Sequence, residues 1–296
     1  MNKSPSISIV MPVHNCESYI RDSIDSIFAQ TFPDFELIIV NDGSSDNSGE
    51  IAHSYLDKRL KIIDLPKNTG CFPARNTGMR SVKGKYICVM DADDISLADR
   101  LEKQYNFMEG NTEFGLTGGV FKTMDDLKFV FRDPDYETIK LLLLQDSYLS
   151  HPTCMIRALV LRKHNLYYDE SYKYASDYDW QVRASSLFPV SITNAPVLLY
   201  RIHDQQISTG KHLEQTFFAD QIRVKQLAFF GIEPTETEKS LHLAFIKGVA
   251  DDCFDEKMID RWIIKLTEAN RKNCYYKQQK LQNCLHAHRY LYFNKK

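Results

Sequence analysis

The run Tyr86-Ile87-Cys88-Val89-Met90 is apolar and stops abruptly in Asp91-Ala92-Asp93-Asp94, three carboxylates within four positions. Like charges so close repel one another unless a cation or solvent separates them. Carboxylate oxygens suit hard divalent ions such as Mg²⁺ or Mn²⁺, which usually share their coordination sphere with substrate phosphates. The preceding segment is apolar on both faces, as a strand buried in the middle of a parallel sheet must be. Groups just past its end lie at the carboxyl edge of that sheet, where open α/β folds bind ligands. A metal–nucleotide site is the first expectation, although an isolated Asp-x-Asp is more often a pair of solvated turn residues.

The elements that must position these groups follow from the apolar pattern. Ser6 to Val13 reads as a first strand, broken by Pro12 and followed by His14-Asn15; Ile20, Ile24, Ile27 and Phe28 then recur at helical spacing. Phe35 to Val40 is a second strand ending in Asn41-Asp42-Gly43-Ser44. A short helix near residues 49–56, a strand over Leu60 to Leu65 and a helix over Ala74 to Ser81 precede the strand that ends at Asp91. Strands alternating with helices imply βαβ units and a parallel sheet. Right-handed crossovers bring His14-Asn15, Asn41-Asp42-Gly43 and the acidic cluster to one edge. Chance would not keep placing polar groups there.

From residue 95 to 205 the periodicity loosens. Helices are expected over Leu97 to Met108, Tyr136 to Gln145 and Asp177 to Leu187, and strands near Phe114 to Phe121, Cys154 to Arg157 and Ala195 to Ile202. Phe129 to Asp135 reads as a loop or edge strand, and His151-Pro152-Thr153 opens the strand after it. This half is expected to recognise an acceptor. From Lys211 onward the chain reads as helices only. The stretch from Arg271 to Lys296 carries Lys and Arg without Asp or Glu, together with Tyr275, Tyr276, Tyr290, Tyr292 and Phe293. A basic, aromatic helix can lie on an anionic membrane surface. The plainer reading packs it on the domain or against a second subunit.

Bulk properties narrow the class. A chain of 296 residues holds one large domain, or one of about 200 residues with an appendage. A net charge of -2 argues against general nucleic-acid binding. Seven cysteines, an odd number with no C-x-x-C pair, read as free thiols in a reducing compartment. No apolar run follows Met1-Asn2-Lys3-Ser4-Pro5 to make a signal peptide, and none approaches the ~20 residues that cross a bilayer. The expected location is cytoplasmic, with at most peripheral contact at the inner face of the cell membrane.

Val10-Met11-Pro12-Val13-His14-Asn15, Val40-Asn41-Asp42-Gly43-Ser44-Ser45-Asp46, Ala74-Arg75-Asn76-Thr77-Gly78 and Met90-Asp91-Ala92-Asp93-Asp94 occur in that order. Together they resemble the inverting glycosyltransferases of family 2, over about residues 5 to 205. The resemblance implies a GT-A fold: a Rossmann-like, mostly parallel central sheet flanked by helices, here with an all-helical C-terminal extension. It implies a catalytic domain over 1–210, divided into a nucleotide-binding half (1–95) and an acceptor-binding half (96–210), with the extension over 211–296.

The resemblance also implies roles. Asp42 stands where the family's acid meets the uracil imide, with Pro12, Val13, His14 and Asn15 completing the base pocket; a turn residue is the plainer reading of Asp42. Arg75 stands where a basic group approaches the nucleotide, at the start of a helix whose N–H groups also favour phosphate. Its plainer reading is a surface ion pair. Asp91, next to Ala92, would reach the ribose or donor sugar, and Asp93 would ligate Mn²⁺ or Mg²⁺ between the two phosphates. Asp94 reads as a helix N-terminal charge. In Ala175-Ser176-Asp177-Tyr178-Asp179-Trp180, Asp177 falls on the position of the catalytic base, with Asp179 as the runner-up and an N-cap or first-turn acid as the plainer reading. Ser176 departs from the usual Glu. His203, in Tyr200-Arg201-Ile202-His203, matches a late His that completes the metal or phosphate contacts, and His151 is a candidate for the acceptor cleft.

The implied reaction moves a sugar from a nucleotide diphosphate sugar, in all expectation UDP-linked, to a hydroxyl of a glycan, lipid-linked or other acceptor. Two rivals stand beside it. A sugar nucleotidyltransferase would need a Gly-rich basic phosphate loop after the first strand, where this chain has His14-Asn15-Cys16-Glu17. A binding module that has lost its base is kept open by Ser176.

Overall fold

The computed structural model describes residues 4–124, 128–204, 206 and 210–294. Eight strands form one sheet in the order β3-β2-β1-β4-β7-β6-β8-β5. Strands β1 (Ile7–Val13), β2 (Phe35–Asp42), β3 (Leu60–Leu65) and β4 (Tyr86–Val89) pair in parallel. Beyond β4 the sheet is mixed: β7 (Met155–Arg157) runs antiparallel to β4 and to β6 (Leu116–Thr123), while β8 (Val190–Tyr200) is parallel to β6 and antiparallel to β5 (Ile95–Ser96).

Every residue of β1 and β4 is buried, because helices cover both faces. Alternate residues feed two cores. Val10, Ile38, Val40, Ile87 and Val89 join α3 (Cys71–Arg80) and α7 (Ser176–Leu187) on one face. Ile7, Ile9, Met11, Leu37 and Cys88 join α1 (Ile20–Phe28) and α4 (Arg100–Gly110) on the other.

Pro12 does not break β1, contrary to the reading from sequence. The Val10 carbonyl accepts from the N–H of Met90, so Val10 and Pro12 both turn toward β4. The β1–β4 pairing ends at Val10↔Val89, and the N–H that proline lacks has no ladder partner to lose. The remaining crossovers contain α2 (Ser48–His53), α5 (Tyr136–Leu142) and α6 (Ala158–Lys163). Helix α6 was not foreseen, and β8 starts five residues before the expected Ala195, because Val190 and Ile192 are buried there rather than sitting in a loop.

The C-terminal part is helical as expected: α8 (His212–Lys225), α9 (Glu236–Lys247), α10 (Glu256–Asn273) and α11 (Gln278–Asn294). Phe245, Trp262, Leu281 and Tyr292 build a third core, which takes in Leu141 and Leu144 from α5 and the turn after it. Tyr276 and Tyr292 of the basic aromatic stretch are buried in this core, and Arg289 pairs with Asp260 and Glu256 of α10. Tyr290, Leu291 and Phe293 stay exposed. Met1–Lys3 and the final two lysines of that stretch lie outside the described residues. No described helix is long and apolar enough to cross a membrane.

Candidate active site

The ends of β1, β2 and β4 converge as the crossover argument requires. After β4 the chain turns through Asp91-Ala92-Asp93-Asp94, whose ligand oxygens lie within 4.8 Å of one another. Backbone and side chains from both halves hold this turn. The Ser23 hydroxyl of α1 lies 2.7 Å from the Ala92 carbonyl and 2.6 Å from that of Asp94. Arg201, just past β8, donates its N–H to Asp94 Oδ1 (3.0 Å) and its Nε to the Asp93 carbonyl (2.8 Å). Its guanidinium also meets Asp22 and covers the Tyr19 ring at 4.9 Å. Neither Ser23 nor Tyr19 carried a sequence signal, whereas Arg201 lay inside the motif that singled out His203.

Each acid has a different surrounding. Asp91 Oδ1 accepts from Arg75 Nη2 at 2.5 Å; burial opposes its charge, but Arg75 prevails and holds the carboxyl below its ordinary range. Asp93 Oδ2 lies 3.0 Å from His203 Nε2, and burial, then Asp91, raise its carboxyl. Asp94 is fully buried; burial, then Asp91 and Asp93, push it up to about 9. Among the described residues its Oδ2 has no hydrogen-bond partner, nor does His203 Nδ1. Such orphaned atoms are costly in a finished core. Three carboxylates, one of them buried with a free oxygen, and an imidazole fit a hard divalent cation. Asp94 is therefore corrected from helix N-terminal charge to member of the acidic cluster. The short strand β5 intervenes, and α4 does not begin until Arg100.

The nucleotide-side candidates line the same edge. Asp42 at the end of β2 is buried; its Oδ1 accepts from the N–H and hydroxyl of Thr69 (both 2.8 Å) and its Oδ2 from the N–H of Gly70 (2.8 Å). That ties the loop after β3 against the sheet edge. Gly43 follows at φ +62°, where a Cβ would come within 2.5 Å of the Lys67 carbonyl carbon, so only glycine fits. His14 Nδ1 donates to the Asp42 carbonyl (2.9 Å), and Asn15, at φ +51°, accepts from the Ser45 N–H (2.8 Å). Pro12 and Val13 are buried at the end of β1.

Arg75 is not at a helix start. Helix α3 begins four residues earlier at Cys71, and Arg75 is buried in its second turn, with Nε and Nη1 unpartnered among the described residues. Its partner is the site acid Asp91, not a surface carboxylate.

Asp177 lies in the first turn of α7, half-buried. Burial pushes its carboxyl up to about 6, with Arg75 lowering and Asp91 raising it in smaller measure. The three thus share one electrostatic neighbourhood. Asp179, two residues on, points to the opposite side of the helix. It is buried and its oxygens take Arg183 (2.5 Å) and Lys225 (3.2 Å), which removes the runner-up from the role of base. His151 is also corrected. It is buried against Tyr168, Phe72 and Trp180, with Nε2 2.8 Å from the Tyr168 hydroxyl. Burial, then Arg75, lower it to about 3, so it is a neutral packing residue behind Arg75 rather than a lining of an open cleft.

Comparison with known proteins agrees with this geometry. The glycosyl transferase family 2 model matches residues 8–165. An uncharacterized glycosyltransferase of Haemophilus influenzae is 31% identical over 250 residues, covering 78% of this chain and 76% of its own. Among solved structures, S. aureus TarS 1-349 in complex with UDP-GlcNAc superposes with a TM-score of 0.67 at 18% identity, over 98% of this chain and 91% of that one. The mannosyltransferase PcManGT of Pyrobaculum calidifontis, in complex with GDP-Man and Mn²⁺, gives 0.61 at 14% identity, over 100% and 89%. Both share the fold described above, a central sheet flanked by helices. The chain belongs to glycosyl transferase family 2 and is a glycosyltransferase with a GT-A fold.

Proposed function

We propose that this enzyme moves a sugar from a UDP-sugar to an acceptor hydroxyl on a glycan or glycoconjugate, with inversion at the anomeric carbon. The observation that carries the reading is Asp177: a carboxyl raised to about 6 in the first turn of α7, electrostatically linked to Arg75 and Asp91 at the sheet edge. Ionised near neutral pH, it accepts the proton of the attacking hydroxyl, help worth about 10²–10⁴ in rate. Inversion follows from single displacement, with the base and the departing diphosphate on opposite faces of the sugar. The residue departing from the usual pattern, Ser176, donates its hydroxyl to the Asp169 carbonyl (2.7 Å), a structural use that leaves the base position to Asp177.

Asp93, Asp94 and His203 are the residues that would hold Mn²⁺ or Mg²⁺, with Asp91 kept on Arg75. The ion's chemistry, when bound, is to neutralise charge on the departing diphosphate. Arg201 holds the acidic turn in place from behind. Asp42 and His14 border the nucleoside side of the edge. Support for uridine is the family resemblance together with the UDP-GlcNAc complex of TarS; PcManGT, with GDP-Man, is the counterweight.

Calorimetry with UDP, GDP, CDP and dTDP, each with and without Mn²⁺, tests the reading. UDP alone should bind, and only with metal. Preference for GDP would overturn the uridine assignment, and binding of none of them would overturn the donor class.

A further inference from the structure

A cavity of about 180 Å³ opens against Asp177 on the side of the C-terminal helices. One wall is the start of α7, the other is α8. His212, Gln215, Thr216, Ala219 and Arg223 of α8 all line it, and their spacing of three, four, seven and eleven residues puts them on one helical face. The volume equals about six waters of bulk liquid, the scale of one sugar ring rather than of a chain. Helix α8 lies beyond the residues matched by the family model, where members are free to differ.

The stripe is polar at its open end and fixed at its floor. Arg223 is buried, donating to the Gln145 carbonyl (2.6 Å) and Asp220 (2.7 Å) and lying 3.6 Å from Asp146. The one guanidinium among the described residues lining the cavity is therefore neutralised and committed. Ala219 is buried beside it and keeps the floor shallow. Above it, the Thr216 hydroxyl donates to the His212 carbonyl (2.9 Å), which leaves its oxygen free to accept. Gln215 is half-buried, and its carboxamide makes no hydrogen bond among the described residues. A carboxamide both donates and accepts, the pairing that adjacent ring hydroxyls need.

We propose that this face of α8, with Gln215 and Thr216 at its centre, is the binding subsite for the acceptor, and that the acceptor is a neutral sugar ring. Among the described residues lining the cavity, an anionic ring would meet Asp177 and Asp146, the guanidinium of Arg223 is already committed, and the exposed His212 at the rim is the one other base. Gln215 and Thr216 are specificity residues: they orient the ring so that one hydroxyl faces Asp177. The assignment rests on Asp177 as base, but its readout does not.

Saturation-transfer NMR with the methyl β-glycosides of glucose, galactose, N-acetylglucosamine and glucuronic acid tests it, alongside calorimetry with UDP and Mn²⁺. At least one neutral glycoside should bind the full-length protein, and Gln215→Ala and Thr216→Val should each weaken it at least about fivefold while UDP binding is unchanged. Asp177→Asn should retain the glycoside. UDP binding with a glycoside signal indifferent to both α8 substitutions, or no neutral glycoside bound, overturns the subsite and leaves the donor reading standing. A signal that depends on α8 without UDP binding upholds the subsite and overturns the donor reading. Stronger α8-dependent binding of the glucuronide overturns the neutral-sugar assignment.

Discussion

At the scale of single residues, Asp177 separates chemistry from stability. Its carboxyl is raised from about 3.8 to about 6, so the folded state holds its proton more tightly than the unfolded chain does. Stability therefore falls as pH rises from about 4 to about 6, and the full cost, on the order of 1–3 kcal/mol, is present at neutral pH. Asp177→Asn should abolish transfer, keep UDP binding and raise the melting temperature at pH 7, with the gain vanishing below pH 4. Unchanged transfer in this variant would remove Asp177 from the mechanism. The rate should fall with pH below about 6 as the base takes up its proton; a flat profile from pH 5 to 8 would contradict that. Asp93 gives the second test. Asp93→Ala removes the acid that meets His203, and should weaken metal-dependent UDP binding at least about tenfold. An unaltered Mn²⁺ titration would place the ion elsewhere.

At the scale of elements, α3 carries Arg75 into the site by packing very closely on the sheet. A Cβ on Gly78 would lie 2.5 Å from Val10 Cγ1 and 3.2 Å from Val40 Cγ2. Gly78→Ala should therefore cost about 1–3 kcal/mol in chemical denaturation and lower nucleotide affinity, because α3 must lift off β1 and β2. Full affinity in a destabilised variant would show that Arg75 tolerates the shift. The β1–β4 half was legible because its signal is local: an apolar run that switches to polar marks each strand end, and helical spacing marks each crossover. Asp94 and Asp179 were misread because their surroundings depend on partners more than forty residues away, Arg201 for the first and Lys225 for the second. The helix that carries Arg75 begins three residues before the expected Ala74, because Gly70 and Cys71 give little warning that a helix begins there. No local pattern reveals that Ser23 holds the acidic turn, since its partners lie 69 and 71 positions on.

At the scale of the whole molecule, the C-terminal helices share contacts with the sheet-bearing part of the chain. Their core includes Leu141 and Leu144, Lys225 neutralises Asp179, and Arg223 caps the end of the turn at Gln145. Cutting the chain after residue 210 should strand these apolar and charged groups and yield aggregated protein. A soluble fragment with the full chain's melting temperature would instead establish 1–210 as an independent domain. The placement of Arg201 and His203 has a consequence for synthesis. Strands β1 to β4 and the acidic turn emerge from the ribosome first, yet the residues that clamp that turn follow 107 to 110 positions later. At about 5–20 residues per second, the nascent enzyme spends roughly 5–20 s with the acidic turn made but Arg201 and His203 still to come. If Asp93 and His203 hold the ion as proposed, a chain cut short before β8 ends would lack both the Arg201 clamp and the imidazole, and so could not assemble the ion's full set of partners.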